Sequence, residues 1–232
     1  ILASQSCAPF ALPGVLRDVP GMLLDPDGPL VVKWAGITRT APWVSRFIKG
    51  AYAGDIPARA DAMKALYGTT HELHEVLARE AGVSHLIEPS HYFYLYKRPE
   101  DVDVENGIAW RLRRERGATI EVFDGPVIRE LEPNASPIYK RAVRLGPIGR
   151  TTHPFRLTQA YAALFRKMGG TLRQSAVRAL RPGAPRTTVA TDHGDVAADI
   201  VVVAAGSWSL RLLEPIGFTF PLIAERGYHV TF

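Results

Sequence analysis

Hydrophobic and polar residues alternate along the chain with two periods, and the change of period separates helices from strands. Over 58–80, apolar positions recur at spacings of three and four, which predicts one amphipathic helix stopped by Gly82. The predicted inner face of this helix consists of Met63, Leu66, Tyr67, Thr70, Leu73 and Leu77. Further helices are predicted over 37–50, 99–116 and 154–167, with a short one capped by Asp124 that ends near Pro133.

Aromatic and β-branched segments predict the strands. The run 91–96 is aromatic, and alternation places Tyr92, Tyr94 and Tyr96 on one face. These rings could line a ligand pocket, but aromatic stripes more often pack against a helix, which is the favoured interpretation. Other strands are predicted over 119–123, 138–145, 171–180, 187–191 and 195–198, with a turn at 192–195 between the last two.

The β-branched run 199–206 is the most strongly predicted strand. Its continuous apolar character is typical of a parallel strand buried on both faces. It ends in the small residues Ala204, Ala205 and Gly206, and Ser207 then offers a helix cap beside which an anion could bind. From spacing alone, a ligand site and a tight turn made only for packing are equally supported. The chain therefore combines an α/β pattern of predicted elements over 150–215 with an α+β pattern over 30–149.

Composition indicates a folded protein and excludes several classes. Apolar residues make up 47% of the 232 residues, which supplies a core. The net charge of +5 is scattered, and the dense run 111–116 is interpreted as a solvated helix end, so no nucleic-acid partner is expected. The single cysteine, Cys7, excludes an intrachain disulfide, favours a reducing compartment and is expected to be a small buried hydrophobe. No apolar run approaches the ~18 residues of a membrane span, and no signal peptide is visible.

The histidines do not form a convincing metal site. His71, His74 and Glu75 can share a helix face, but H-E-x-x-H is absent and no cysteine joins them. A solvated helix face is the favoured interpretation. His153 lies near a predicted helix start, where a surface position is favoured over a functional one.

Several segments together resemble the D-amino-acid oxidase superfamily, closest to its bacterial D-amino-acid dehydrogenase branch. The segment 204–209, followed by Leu213, Gly217, Pro221 and 225–227, is similar to the second FAD-contact region of that superfamily. Leu2, Ala3 and Ser4, with 9–16 and 25–30, resemble the stretch that follows the branch's flavin loop. Helix 154–167, Gly169-Gly170 and the strand with Val177 match the stretch leading to the adenine contact.

The resemblance implies an α/β fold with an α+β substrate domain. A partial Rossmann-like, glutathione-reductase-like FAD sheet would accompany an antiparallel substrate-binding sheet. The implied domains are 1–30, a flavin-proximal segment; 31–149, a substrate or cap domain; and 150–232, the continuation of the FAD-binding domain.

Site residues also follow from the resemblance. Leu2, Ala3 and Ser4 are expected near the isoalloxazine, and Val177 is expected to meet the adenine through its backbone, against the alternative of an ordinary core valine. Ala204, Ala205 and Gly206 are expected at the pyrophosphate and ribityl chain. Trp208 is expected beside the cofactor, or as an anchor of the helix start. Tyr92, Tyr94 and His153 are candidates for substrate binding.

The implied reaction is FAD-dependent oxidation of an amino acid to a keto acid and ammonia. The branch passes electrons to a quinone or carrier, which implies the inner face of the bacterial cytoplasmic membrane as an alternative to a free cytoplasmic location. The sequence does not decide between this acceptor and oxygen. G-x-G-x-x-G is absent, and the resemblance places that loop upstream of residue 1 and the substrate-carboxylate arginine beyond Phe232. The chain alone is therefore expected to bind FAD weakly or not at all. The alternative hypothesis is a catalytically incompetent fragment that acts as an interaction or binding module.

Overall fold

The structure of the protein, a computed structural model, describes residues 2–14 and 37–220, with residues 19, 21, 24 and 222. Leu16, Pro221 and the segments 25–30 and 225–227, which contribute to the resemblance, lie outside the described residues. The chain divides into two compact units, Ile1–Gly170 and Thr171–Phe232. The predicted borders after residues 30 and 149 stay a prediction.

The first unit combines helices with an antiparallel sheet of strand order β1–β3–β2. Its elements in chain order are α1 (Ile37–Ala51), α2 (Ile56–Tyr67), α3 (Thr70–Glu80), β1 (Ile87–Tyr96), α4 (Ile108–Glu115), β2 (Thr119–Asp124), α5 (Gly125–Leu131), β3 (Arg141–Thr151) and α6 (Pro154–Lys167). The central strand β3 is the most buried: Val143 and Leu145 are 0% exposed and Ile148 is 1% exposed. A central strand bonds to neighbours on both edges, so its apolar residues are shielded most fully.

Helix α4 covers one face of this sheet. Val104, Trp110 and Val143 form a buried cluster, against which Tyr94, Tyr96, Val102 and Ile120 pack. The Trp110 ring meets Tyr94 edge-on, with ring centroids 5.2 Å apart. Such a pair is one of the favoured aromatic geometries and adds to the area buried.

The single helix predicted over 58–80 is two helices, α2 and α3. Gly68 and Thr69 separate them, since glycine is a poor helix former and the backbone of Thr69 turns to ψ 9°. The predicted inner face was also wrong, because Leu66 and Leu73 are 74% and 59% exposed. The buried positions are instead the alanines Ala60 and Ala78, whose small side chains allow close packing.

The other predicted elements of the first unit differ mainly in extent. The helices predicted over 37–50 and 154–167 are confirmed as α1 and α6. The helix predicted over 99–116 is shorter than predicted: α4 begins at Ile108, after its N-cap residue Gly107. The strand predicted over 138–145 is shifted to β3, and that over 119–123 is confirmed as β2.

The second unit contains a small antiparallel sheet of order β4–β5–β6. Its elements are β4 (Val177–Arg181), β5 (Thr187–Thr191), β6 (Gly194–Ala198) and α7 (Ser209–Leu213). The predicted turn between β5 and β6 is confirmed, and Gly194 adopts φ +104° there, which glycine tolerates. The strand predicted over 171–180 begins only at Val177.

The strand predicted over 199–206 is not formed in the described part of this unit. Ile200 and Val202 are both 83% exposed, while Val201 and Val203 are half-buried. A parallel strand needs a neighbour that completes its hydrogen-bond ladder, and the described strands of this unit pair only with one another. Helices with antiparallel sheets are thus observed, and the Rossmann-like sheet stays a prediction.

Candidate functional site

The segment predicted to lie near an isoalloxazine is held against β3. Leu2 donates its N–H to the carbonyl of Gly149 at 2.6 Å and accepts from the N–H of Gly149 at 3.3 Å. The hydroxyl of Ser4 donates to the carbonyl of Pro147 at 3.3 Å. Both Leu2 and Ser4 are buried, so this segment is an integral part of the first unit.

The tyrosine face of the sheet is the face covered by α4. The guanidinium of Arg113 lies over the rings of Tyr94 and Trp110, at 5.7 and 5.0 Å from their centroids. Burial, followed by the neighbouring Tyr94, raises the pKa of Tyr96, and Arg113 partly opposes this. Tyr94 therefore packs against a helix, which was the favoured interpretation. The ring of Tyr92 lies next to it, with ring centroids 6.0 Å apart. A substrate role for Tyr92 and Tyr94 stays a prediction.

The opposite face of the same sheet carries residues that were not among the predicted site residues. The register places Phe93 beside Arg144, which lies beside Glu121. Arg144 donates from Nε to Glu121 Oε2 at 2.7 Å, and its guanidinium lies 5.1 Å from the centroid of Phe123. We call His91, Phe93, Glu121, Phe123 and Arg144 the open-face cluster.

A shallow cleft of about 210 Å³ opens beside this cluster. It is lined by Ser90, His91, Thr119, Glu121, Arg144, Gly146 and Pro147. The alternation along β1 predicts this face, because residues 91 and 93 must point to the side opposite to the tyrosines. Which of the two faces a helix covers depends on tertiary packing, so the sequence could not choose between them.

Val177 lies at a cleft of the second unit. The cleft has a volume of about 510 Å³ and is lined by Arg173, Gln174, Ser175, Val177, Val189, Thr191, His193 and Val196. The carbonyl of Ala176 accepts a hydrogen bond from the N–H of Asp192 at 3.2 Å. Because C=O and N–H point to opposite sides of a trans peptide, the N–H of Val177 is directed away from β5. Val177 is 41% exposed, so it is not an ordinary core valine.

The other residues predicted for the cofactor lie at the start of α7. Gly206 adopts φ +55°, and a Cβ built on it meets no atom within 4 Å, so the backbone is accessible there. Ala204 is exposed and Ala205 is half-buried. Trp208 is 63% exposed, so in this unit it is not a buried anchor of the helix.

His74 lies on a helix of the first unit and His153 at the start of another, and a substrate role for His153 stays a prediction. His153 is the exposed N-cap residue of α6, and its backbone N–H bonds to the hydroxyl of Thr151 at 3.3 Å. His74 Nδ1 lies 3.0 Å from the hydroxyl of Tyr161, which joins α3 to α6. No cluster of metal-binding side chains occurs among the described residues. Cys7 is buried, as predicted.

The sequence, taken with the helices and antiparallel sheets just described, defines a class of flavoprotein. The family model "FAD dependent oxidoreductase" matches residues 32–232, and the chain belongs to this family, which depends on FAD.

Among its relatives is a D-amino-acid oxidase of Bradyrhizobium diazoefficiens, 33% identical over 231 residues that cover 99% of this chain and 54% of that protein. A D-amino acid dehydrogenase of Xylella fastidiosa is 29% identical over 231 residues, which cover 97% of this chain and 52% of that protein. The crystal structure of glycine oxidase from Bacillus cereus aligns with a TM-score of 0.51 and 26% identity, over 62% of this chain and 40% of that one. The chain thus spans about half the length of the curated relatives it matches.

The described residues suit parts of an FAD molecule. The cleft at Val177 combines apolar side chains of Val189 and Val196 with polar groups of Ser175 and Thr191, the kinds of group that contact a heteroaromatic ring. The accessible backbone at Gly206 permits close approach of a phosphate or ribityl chain. Both features lie in the second unit, while Leu2 and Ser4 lie in the first.

Proposed function

We propose that this chain is part of an enzyme that uses FAD to oxidise amino acids, with D-amino acids as the substrates. The observation that carries the proposal is the 33% identity to a D-amino-acid oxidase over 231 residues. D-amino acid dehydrogenases that also match along 97% of the chain support the same substrate class.

The reaction removes a hydride from Cα and a proton from the amine, and water then converts the imino acid to a keto acid and ammonia. Bound FAD supplies the two-electron acceptor for this hydride. The protein's part is to position the reactants. In this proposal Leu2, Ala3 and Ser4 flank the isoalloxazine, and the sheet of the first unit covers the substrate.

The remaining cofactor contacts belong to the second unit. Val177 binds the adenine through the N–H that points away from β5. Residues 204–206 approach the pyrophosphate and ribityl chain. Trp208 packs beside the cofactor. The domain division at residues 30 and 149 and a Rossmann-like sheet around 199–206 complete the proposed architecture.

The proposed electron acceptor is a quinone or other carrier, with oxygen as the alternative. The proposed location is the cytoplasm, with peripheral association at the inner face of the bacterial cytoplasmic membrane as the alternative. Within the described ranges, no helix has the length and apolar character needed to cross a bilayer.

The test is FAD binding and reduction by the protein expressed from its complete gene. We expect bound, yellow FAD whose absorption bleaches when D-amino acids are added without oxygen, and slower bleaching with the L-enantiomers. Protein that binds no FAD, or FAD that no amino acid reduces, would contradict the proposal and favour an interaction module.

A pair of variants at Val177 tests the backbone contact. Val177→Pro removes the outward N–H, and we expect FAD affinity to fall by about 2- to 10-fold, the effect of one hydrogen bond. Val177→Ala keeps that N–H and serves as the matched control, with a smaller loss. Equal losses in both variants would show that the side chain, rather than the backbone, matters.

A further inference from the structure

We propose that the outer side of helix α3 is a dimerisation surface, on which a second copy of this chain packs its own α3 in the antiparallel direction. This surface, the outer α3 face, consists of Glu72, Leu73, Val76, Leu77 and Arg79. Dimerisation is independent of the proposed function, because it concerns how the protein associates and not its chemistry.

Helix α3 turns its small and polar residues towards the core. His71 lies against Gly149 of β3, and His74 is within hydrogen-bond distance of the Tyr161 hydroxyl on α6. Ala78, on the same side of the helix, is 0% exposed. These residues recur at spacings of three and four, so they mark one side of α3 as the inner one.

The large apolar side chains of α3 lie on the other side. Leu73, Val76 and Leu77 are 59%, 45% and 42% exposed, and their spacings of three and four also make them one stripe. A helix at the surface of a globular protein normally has the reverse distribution, with apolar residues inside and polar residues outside. An exposed apolar stripe bordered by charged residues is typical of a protein–protein contact.

The apolar surface continues into the preceding helix. Leu66 and Tyr67 form the end of α2, only two residues before α3 begins, and they are 74% and 41% exposed. A standard protein–protein interface buries about 1,200–2,000 Å² in total, more than one stripe on the 11 residues of α3 provides. The extension along α2 therefore supports an interface between two folded chains.

The charges that border the stripe include one of each sign. Glu72 and Arg79 are both exposed, and neither side chain has an ion pair or a hydrogen bond to another described residue. They are seven residues apart, which is about two turns of helix, so they lie on the same side of the stripe. Each is available for a partner of opposite charge.

This arrangement is complementary to itself, which is the requirement for a two-fold dimer. When two α3 helices run antiparallel about a two-fold axis close to Val76, residues whose numbers add up to about 151 lie side by side. Glu72 of each copy then lies beside Arg79 of the other, and Leu73 of each copy lies beside Leu77 of the other. The antiparallel direction also brings opposite ends of the helix dipoles together. A second copy is therefore the partner that this surface fits.

The first experiment measures the mass of the protein expressed from its complete gene by analytical ultracentrifugation over micromolar concentrations. We expect a reversible dimer that Val76→Glu weakens by about 10-fold or more, because two carboxylates then meet at the centre of the contact. Val127→Glu, the same change on α5 where Val127 is 37% exposed, is the matched control and should leave the dimer intact. Wild-type protein that stays monomeric, or a dimer that responds equally to both changes, overturns the proposal.

The second experiment tests the charge contact. Glu72→Arg and Arg79→Glu each place like charges side by side across the axis, so each variant alone should dimerise several-fold more weakly than the wild type. An equal mixture of the two variants should recover dimerisation, because every contact across the axis of a mixed dimer joins opposite charges. A mixture that associates no better than either variant alone contradicts the antiparallel arrangement.

Urea unfolding separates a second copy from another part of the complete chain as the group that covers the stripe. The measurement is made at concentrations where the wild type is monomeric. A covering segment of the same chain would make Val76→Glu lower the free energy of unfolding there without changing association, which overturns the proposal. An unchanged free energy of unfolding together with weaker association supports the dimer.

Discussion

At the scale of single residues, Arg116 shows how a charged side chain at a helix end can link two helices. The run 111–116 was interpreted as a solvated helix end, which was wrong for Arg113 and Arg116. The side chain of Arg116 is 10% exposed and donates to the carbonyls of Leu112 and Pro57 at 3.1 and 2.8 Å, while Asp61 lies 2.8 Å away. Hydrogen bonds from both terminal nitrogens stabilise this largely covered guanidinium, while its Nε has no hydrogen-bond partner, and Arg116 in this way links α4 to α2.

His74 makes a residue-level contact whose strength depends on pH. Its ring stacks on Tyr161 at 5.7 Å, and the Tyr161 hydroxyl donates to the backbone carbonyl of His74 at 3.1 Å. Burial, followed by the nearby His71, lowers the pKa of His74 from its usual 6.5. The unfolded chain therefore binds a proton at this site more readily than the folded chain does.

We predict that His74→Phe reduces the acid sensitivity of the protein. The neutral His74 contributes its full stability above pH 6.5, and this contribution is lost as the pH falls through the lowered pKa. Urea unfolding between pH 5 and 8 should show that wild-type stability declines more steeply below pH 6.5 than that of the variant. Parallel curves for the two proteins would contradict this prediction.

At the scale of elements, the central strand β3 organises the first unit. It pairs with β1 along its length, with β2 over residues 141–146, and with Leu2 at Gly149. Gly149 also faces α3, since a Cβ built there would lie 2.5 Å from Nδ1 of His71. Sheet and helix approach closely at this point because the strand carries no side chain.

Gly149→Ala should destabilise the protein by about 1–3 kcal/mol, the usual effect of overpacking. The added methyl must displace His71, whose ring is held 3.0 Å from Glu75. In the His71→Ala background the same change should cost clearly less, which a double-mutant cycle by urea unfolding will measure. Gly54→Ala, where a Cβ meets nothing within 4 Å, is the control and should stay within about 0.5 kcal/mol. Equal losses at Gly149 in both backgrounds would show that His71 is not responsible.

At the scale of the whole molecule, many of the arginines in the described residues form ion pairs within the chain. Those of the second unit include Arg178–Asp192, Arg181–Asp195 and Arg186–Asp199. The hydrogen bond from Arg178 holds the pKa of Asp192 below its usual range. A net charge of +5 distributed in this way makes a weak field for a polyanion.

We therefore predict that the protein does not retain double-stranded DNA at about 150 mM salt, where non-specific binding depends on many free phosphate contacts. An electrophoretic mobility shift titration at several salt concentrations will check this. A shift at micromolar protein with a steep salt dependence would show instead that the arginines leave their aspartates for phosphates.

Local patterns in the sequence determined α1, α6, β2, the turn between β5 and β6, and the burial of Cys7. Helical and strand periods are properties of neighbouring residues, so they could be found without the fold. The same alternation also established that Tyr94 and Phe93 face opposite ways, and similarity in several segments led to the family.

Only the tertiary structure decided which face of the first unit's sheet α4 covers, where Gly68 and Thr69 divide a helix, and that the side chain of Arg116 is largely covered. It also left Ile200 and Val202 exposed, where their apolar character had predicted a buried strand. Burial and strand pairing depend on residues distant in the chain, and periodicity within one segment contains no information about which distant segment will meet it.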